Sequence, residues 1–383
     1  MQFRSTFMSI TAVGALIWGG ACFGEELEVK IGHVGPLTGP IARQGKDNEN
    51  GARLAIEELN AKGFVIGGKK AHFVLLAEDD GDDPKQGTQV AQKLVDAKVN
   101  GVVGNGSSGT SIPAAKIYHE AGIPQIAPTS TAVAYTAMGF RSTFRVVAND
   151  AQLGGALGRY AVTSLNAKTI AVIDDRSAYG QGLADEFIKS VKQKAPLARF
   201  AQRQYTTSKA TDFNAILTAI KPAKPDVVFF GGMDAVGGLI LHQMKNLGIS
   251  ARFMGGDGIC SSNLPNLAGE GLGEGQVLCA EAGGVDEAHK KAAADFRANF
   301  KKRFGVEVII YAPYVYDAVM TLADAMQQAR SADPAVYLPF LQNIDHKGVT
   351  GDIQFDRKGD VRDGALTLFT YKGGKREEIA VLR

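Results

Sequence analysis

Two short stretches hold the residue types best suited to chemistry: Val102-Val103-Gly104-Asn105-Gly106-Ser107-Ser108-Gly109-Thr110-Ser111 and Ile126-Ala127-Pro128-Thr129-Ser130-Thr131. In each, a brief apolar run ends in glycine, serine and threonine, so N–H groups and hydroxyls gather where a strand stops. Ligands of open parallel sheets sit beyond the carboxyl ends of the strands, and a helix starting there offers unpaired N–H groups to an anion. A zwitterionic amino acid would set its carboxylate on the Ser108 hydroxyl and on the amides of Gly109 and Thr131. Its ammonium would need a countercharge, because an unpaired buried charge is costly. Asp257, in Met254-Gly255-Gly256-Asp257-Gly258, can supply that charge, and Tyr179, in Ala178-Tyr179-Gly180-Gln181-Gly182, can close over the ligand as an aromatic hydrogen bonder. Taken singly, Asp257 also suits a turn beside glycine and Tyr179 the packed start of a helix.

Other chemistries fit less well. Gly104-Asn105-Gly106-Ser107-Ser108-Gly109 matches the dinucleotide pattern G-x-G-x-x-G. That pattern requires an acid about twenty residues on for the ribose, yet no acid occurs between Glu120 and Asp150, and the motif stands in the third rather than the first βα unit. A nucleotide-cofactor enzyme is therefore the weaker alternative, and no cofactor is expected. The serines lack the G-x-S-x-G elbow of hydrolases. His33, His72, His119, His242, His289 and His346 are scattered without zinc spacing, and no phosphate-binding G-x-x-x-x-G-K-[ST] loop occurs. Lys301-Lys302-Arg303 suits a solvated helix end. A cluster of hydroxyls and amides with no activated nucleophile points to binding, not turnover.

These residues need elements to hold them. Of 383 residues, 45% are hydrophobic and 21% charged, the balance of a globular chain long enough for two domains. Residues 1–24 read as a signal peptide, with Arg4 ahead of an apolar run from Phe7 to Trp18 too short to span a membrane; the Gly19-Gly20-Ala21-Cys22 run leaves a lipoprotein site as an alternative. Removing Arg4 takes the 42 basic residues to 41 against 40 acidic ones, a net charge of +1 that implies neither nucleic acid nor an acidic membrane as partner. Cys260 and Cys279 then remain in an oxidising setting, either bridged or as two buried thiols.

Strand and helix alternate along the chain, which predicts parallel sheets with helices on both faces. Strands are expected at Leu27–Val34, His72–Ala77, Gly101–Val103 and Ile123–Ala127, with helices at Asn50–Lys62, Pro84–Ala97 and Ser111–Ala121. Past Phe144-Arg145-Val146-Val147 and Asn149-Asp150 the pattern begins again: strands at Thr169–Asp174, Arg199–Tyr205, Val227–Phe230 and Arg252–Met254, and helices at Gly180–Lys194, Phe213–Ile220 and Val236–Leu247. Helices follow at Glu287–Phe304, Tyr314–Arg330 and Pro334–Asn343, then strands at Asp352–Phe355, Ala365–Tyr371 and Glu377–Leu382. Two such arrays suggest two Rossmann-like lobes facing a shared cleft. Lobe one would take 25–148 and 283–353, and lobe two 149–282 and 354–383, with crossings near 148, 282 and 353.

Taken together, Gly35-Pro36-Leu37-Thr38-Gly39-Pro40, Gly51-Ala52, Ile56-Glu57-Glu58-Leu59-Asn60, Asp79-Asp80, Asp83-Pro84-Lys85-Gln86, Ser107-Ser108 through Pro113-Ala114, Tyr179-Gly180-Gln181-Gly182, Phe253-Met254-Gly255, Phe355-Asp356 and Lys358-Gly359-Asp360 form a specific set. Through them the chain resembles the leucine/isoleucine/valine-binding proteins, the type I periplasmic binding proteins of branched-chain amino acid ABC transporters. The resemblance implies a two-lobe α/β fold with a three-strand hinge, a periplasmic monomer, a small apolar amino acid as ligand and a membrane permease as partner. Relatives of the same fold take amides, urea or aromatic acids, which is the alternative ligand class, and a sensory role is the alternative to transport. By motif, Ser108 and Thr131 resemble the hydroxyl ligands of the amino acid head group, Ser107 and Thr129 the flanking residues that offer backbone groups, and Tyr179 the lid. Asp257 stands where the family commonly has Glu, so its shorter reach calls for a water or a shifted ligand. Gln44 replaces a usual aromatic, Gly106 a frequent Leu and Met233 a Tyr, all around the ligand side chain. Asp82 and Ser107 occupy the places of a first-lobe cysteine pair found in some members, whereas Cys260 and Cys279 resemble a second-lobe pair of others.

Overall fold

The computed structural model describes residues 26–285 and 287–382. The expected signal peptide and its cleavage or lipid site lie outside the described residues. Nine-residue β1 (Leu27–Gly35) is buried over its last five positions, and a strand with both faces covered needs such a run. It is followed by β2 (Val65–Ile66), β3 (Lys69–Asp79), β4 (Gly101–Val103), β5 (Gln125–Ala127) and β6 (Thr143–Arg145). These six form one sheet in the order β2-β3-β1-β4-β5-β6, parallel except for the antiparallel pair β2–β3.

The second sheet is built from β7 (Thr169–Asp174), β8 (Arg199–Phe200), β9 (Gln204–Tyr205), β10 (Val227–Gly231), β11 (Arg252–Gly255) and β12 (Val277–Glu281). A short hairpin of β13 (His346–Lys347) and β14 (Asp352–Ile353) follows, and then β15 (Leu366–Lys372) and β16 (Lys375–Leu382). The order is β16-β15-β12-β11-β10-β7-β8, with β9 also on β7. The core from β12 to β8 is parallel, and β15 and β16 extend it antiparallel. Strand β10, Val-Val-Phe-Phe-Gly, is buried throughout, and Phe229 stacks on Phe187 with ring centroids 3.9 Å apart.

The chain passes between the two lobes three times: from β6 to the helix Asp150–Thr163, from β12 to the helix Lys290–Phe304, and from β14 to β15. The helices Lys290–Phe304 and Ala312–Ala329 return to pack on the helix Ala42–Ala61 of the first lobe. Where the passages meet, a cavity of about 250 Å³ is lined by Ala148, Gly283, Tyr314 and Gly364 among others. Two mostly parallel α/β sheets joined by three passages make the two-lobe architecture expected from the alternation of strands and helices.

Three local readings need correction. The helix expected over Asn50–Lys62 runs from Ala42 to Ala61, because Gln44, Asp47, Asn48, Glu49 and Asn50 break the apolar period yet are buried. Asp47 shows why: its carboxylate accepts from the backbone N–H groups of Ile309, Ile310 and Ala312, joining this helix to the start of Ala312–Ala329. The strand expected over Arg199–Tyr205 is two short ones, β8 and β9, and each parallel sheet carries an antiparallel edge. Of the two readings left open for the cysteines, the bridge is the one present. Cys260 and Cys279 are joined, with Cα atoms 5.3 Å apart, tying the loop after β11 to β12.

Candidate ligand-binding site

The glycine-rich loop after β4 is shaped by close approach. A Cβ on Gly106 would sit 2.4 Å from Pro36 Cδ, so in this chain the loop packs closely on Pro36. Beneath the loop, Gln125 Nε2 donates to the Gly104 carbonyl at 2.8 Å. The loop delivers the chain into the helix Ser108–Glu120, whose N-cap Ser107 makes no side-chain capping bond. First-turn amides of a helix have no partner four residues back, so those of Ser108 and Gly109 are free to receive an anion. Ser108 Oγ accepts from Ala132 N at 3.1 Å and thereby sets the two hydroxyl-bearing loops side by side.

The second loop is held by a fully buried arginine. Arg145 donates to the carbonyls of Ser130 and Ala132, both at 3.0 Å, and to Thr136 Oγ1 at 2.7 Å, so the turn containing Thr131 is clamped on both sides. Its charge is met by Asp360 at 2.7 Å, a residue of the third passage, which also accepts from Thr136 and Asn149. Thr131 itself is buried. Its carbonyl accepts from Asp150 N at 2.8 Å, and its hydroxyl, although near enough to ease the Asp150 charge, forms no hydrogen bond. Thr129 turns its hydroxyl back to the Gly106 carbonyl at 3.1 Å, and Ser107 Oγ stands 3.4 Å from Thr110 Oγ1.

The second lobe supplies acids and an aromatic. Its helices Asp150–Thr163 and Ala178–Lys194 meet through glycines. A Cβ on Gly154 would sit 2.8 Å from Phe187 N and one on Gly158 2.7 Å from Ser190 Cβ, so only glycine permits this spacing. The N-termini of both helices, bearing Asp150 and Tyr179, are thus brought to the same place. Tyr179 donates to Asp257 Oδ1 at 2.7 Å and accepts from Gly258 N at 2.8 Å. From the first lobe, Tyr311 donates to Asp257 Oδ2 at 2.7 Å. Asp257 is therefore oriented by two phenols, and the disulfide at Cys260 anchors its loop three residues on. The lobes also touch where Arg43 Nη1 meets Asn263 Oδ1 at 2.9 Å, so the cleft is closed.

Two carboxyls face this closed space with no cation of their own. Burial pushes Asp150 up to about 8, with the Asp257 charge adding to the effect, and both of its oxygens lack a hydrogen-bond partner. Burial also raises Asp257, against the lowering effect of Tyr311 and Tyr179. Among the described residues, neither acid is in an ion pair. Two desolvated acids near a helix N-terminus and several hydroxyls have the chemistry to meet a cation and an anion carried close together.

Of the expected residues, Ser108 is tied to the loop of Thr131, and Tyr179 to Asp257. Gln44 is buried near the start of its helix and Met233 is half-buried as N-cap of the helix Asp234–Asn246, and no bond joins either to these four. Asp150 and Tyr311 escaped the sequence reading. The first looked like an ordinary acid at a helix start after Asn149. The second carried no signal beyond the aromatic run Tyr311, Tyr314, Tyr316.

The profile of the periplasmic binding protein family matches residues 28–375. The chain belongs to that family. It is 35% identical over 97% of both chains to Leu/Ile/Val-binding protein homolog 1 of Brucella abortus (strain 2308). It is also 33% identical, over 92% of both, to the leucine-, isoleucine-, valine-, threonine-, and alanine-binding protein of Pseudomonas aeruginosa. Among solved structures it resembles the branched-chain amino acid transporter substrate binding protein LivJ of Streptococcus pneumoniae in complex with isoleucine. The TM-score is 0.82 and the identity 26%, over 93% of this chain and 99% of that one. These relatives are solute-binding proteins rather than enzymes.

Proposed function

We propose that this periplasmic binding protein, exported by its leader, closes over the head group of an α-amino acid and presents it to the permease of an ABC importer. The observation that carries this reading is the pair of unpaired, buried acids Asp150 and Asp257 set against the Ser108 helix start. Here Asp150, Asp257 and the Thr131 hydroxyl would hold the ammonium, while Ser108, Gly109 and the Thr131 loop would hold the carboxylate; Ser107 and Thr129 shape the loops behind them. The names of the relatives make leucine, isoleucine and valine the first ligands to test. Ligand contacts from both lobes favour the closed state, and a closed cleft without a cation leaves two acids desolvated, so the ligand drives closure. The test is calorimetric titration of refolded, ligand-free protein with the twenty amino acids. Binding of at least one with a dissociation constant below about 10 μM, roughly 7 kcal/mol, is expected. No binding of any would contradict the reading and turn attention to amides, urea or aromatic acids.

A further inference from the structure

A second cavity, of about 470 Å³, lies between the first lobe and the third passage. Its first-lobe wall is Arg141 and Thr143 at the start of β6, with Gln342 at the end of the helix Pro334–Gln342, and its other wall is the turn following Phe355. The rings of Phe144 and Phe355, with centroids 4.8 Å apart, join the two walls. Four cations line the cavity, Arg141, Arg357, Lys358 and Arg362, against a single acid, Asp356. That acid is spent on its own turn, where Oδ1 accepts from Lys358 N at 2.8 Å and from Asp360 N at 3.0 Å. Asp360 in turn is committed to Arg145, Thr136 and Asn149. Among the described residues none of the four cations is in an ion pair.

Two of the cations are held by neutral oxygens on opposite walls. Arg141 Nη2 donates to Gln342 Oε1 at 3.0 Å while Gln342 Nε2 donates back to the Arg141 carbonyl at 3.0 Å, and Arg362 Nε donates to the Phe355 carbonyl at 2.9 Å. A guanidinium carries five N–H donors, so each arginine is positioned by one and keeps the others for a further acceptor. A planar fork already in place loses less freedom on meeting an oxyanion than a mobile ammonium does, and it matches carboxylate and phosphate geometry. Arg357 and Lys358, both exposed, add an attraction that weakens with salt. We infer that this cavity is a second binding site, taking a small oxyanion of two or more negative charges that bridges Arg141 of the first lobe to Arg362 of the third passage. Phosphate-bearing and polycarboxylate ligands share that chemistry. The inference is independent of the amino-acid reading, but the same turn carries Asp360, which holds Arg145 and with it the Thr131 loop, so occupancy steadies a wall of the cleft.

Calorimetric titration of the protein with inorganic phosphate and with citrate, each against sodium chloride at matched ionic strength, tests it. At least one of the two is expected to bind about tenfold or more tighter than chloride, because bidentate charge-assisted bonds distinguish an oxyanion from a monatomic ion. A preference for phosphate assigns a phosphate-bearing ligand, and one for citrate a polycarboxylate. Arg141→Gln and Arg362→Gln are each expected to weaken that binding about tenfold. Should either fold poorly, Arg357→Gln combined with Lys358→Gln changes exposed positions alone and is expected to weaken it about threefold or more. Phosphate and citrate binding no tighter than chloride would overturn the inference. Binding unchanged in all of these variants would overturn the assignment to this cavity.

Discussion

Asp150→Asn separates function from stability in a way few cleft substitutions can. The replacement is nearly isosteric and removes only the charge. In the closed protein burial pushes the carboxyl from 3.8 up to about 8, so the folded chain holds a proton there that the unfolded chain has released. A neutral Asp150 therefore gives its full contribution below pH 4, which is lost progressively as the pH rises toward 8. Four units at 1.36 kcal/mol each set a ceiling of about 5 kcal/mol, reduced by whatever opening of the cleft rehydrates the group. Ligand-free Asp150→Asn is accordingly expected to be more stable than the parent at pH 8.5, with the gap narrowing toward pH 5, in urea unfolding followed by circular dichroism. Its affinity should move the other way. Removing one partner of a buried pair typically costs 3–5 kcal/mol, and Asp257 keeps part of the ammonium's compensation, so a loss of about 3 kcal/mol, or a hundredfold, is expected by calorimetry. A variant that is less stable at pH 8.5, or one that binds within threefold of the parent, would refute the role given to Asp150.

Other expectations follow from the same geometry. His33 Nδ1 donates to the Val103 carbonyl at 3.0 Å while its Nε2 is buried and bare, and burial pushes the ring down to about 4. Its contribution to stability is full above pH 6.5 and lost as the pH falls to 4, about 3 kcal/mol in all, so His33→Gln should flatten the acid limb of a urea-midpoint profile. Asp360→Asn strips the buried Arg145 of its countercharge and should cost about 3–5 kcal/mol in unfolding free energy. Arg145 also holds the Thr131 turn, so affinity should weaken together with stability. Reduction of Cys260–Cys279, which closes a loop of sequence separation 19, should lower stability by about 3 kcal/mol in thermal unfolding with and without reductant.

The alternation of strands and helices made the fold readable, because it depends on local periodicity that each segment carries by itself. Periodicity failed at Gln44–Asn50, where polar side chains are buried, Asp47 among them because the distant backbone of Ile309, Ile310 and Ala312 satisfies it. The hydroxyl loops and Asp257 stood out as candidates for a related reason: glycine, serine and threonine at strand ends leave a local mark. Asp150 left none, since an acid opening a helix is the expected residue at such a position, and only the glycine-mediated approach of two helices reveals that it is buried and unpaired. Tyr311 acts on Asp257 across 54 residues of sequence, a relation that spacing cannot show. The close contact of Gly106 with Pro36 was likewise invisible to spacing.

The central claim is that the closed cleft recognises both charges of a free amino acid. Small-angle X-ray scattering of ligand-free protein tests this most directly, with additions of the best-binding amino acid, its N-acetyl derivative and its methyl ester. The account predicts a smaller radius of gyration with the free amino acid alone, because acetylation removes the cation needed by Asp150 and Asp257 and esterification the anion received by the Ser108 helix start. Equal compaction by either blocked derivative, or none with the free amino acid, would contradict it.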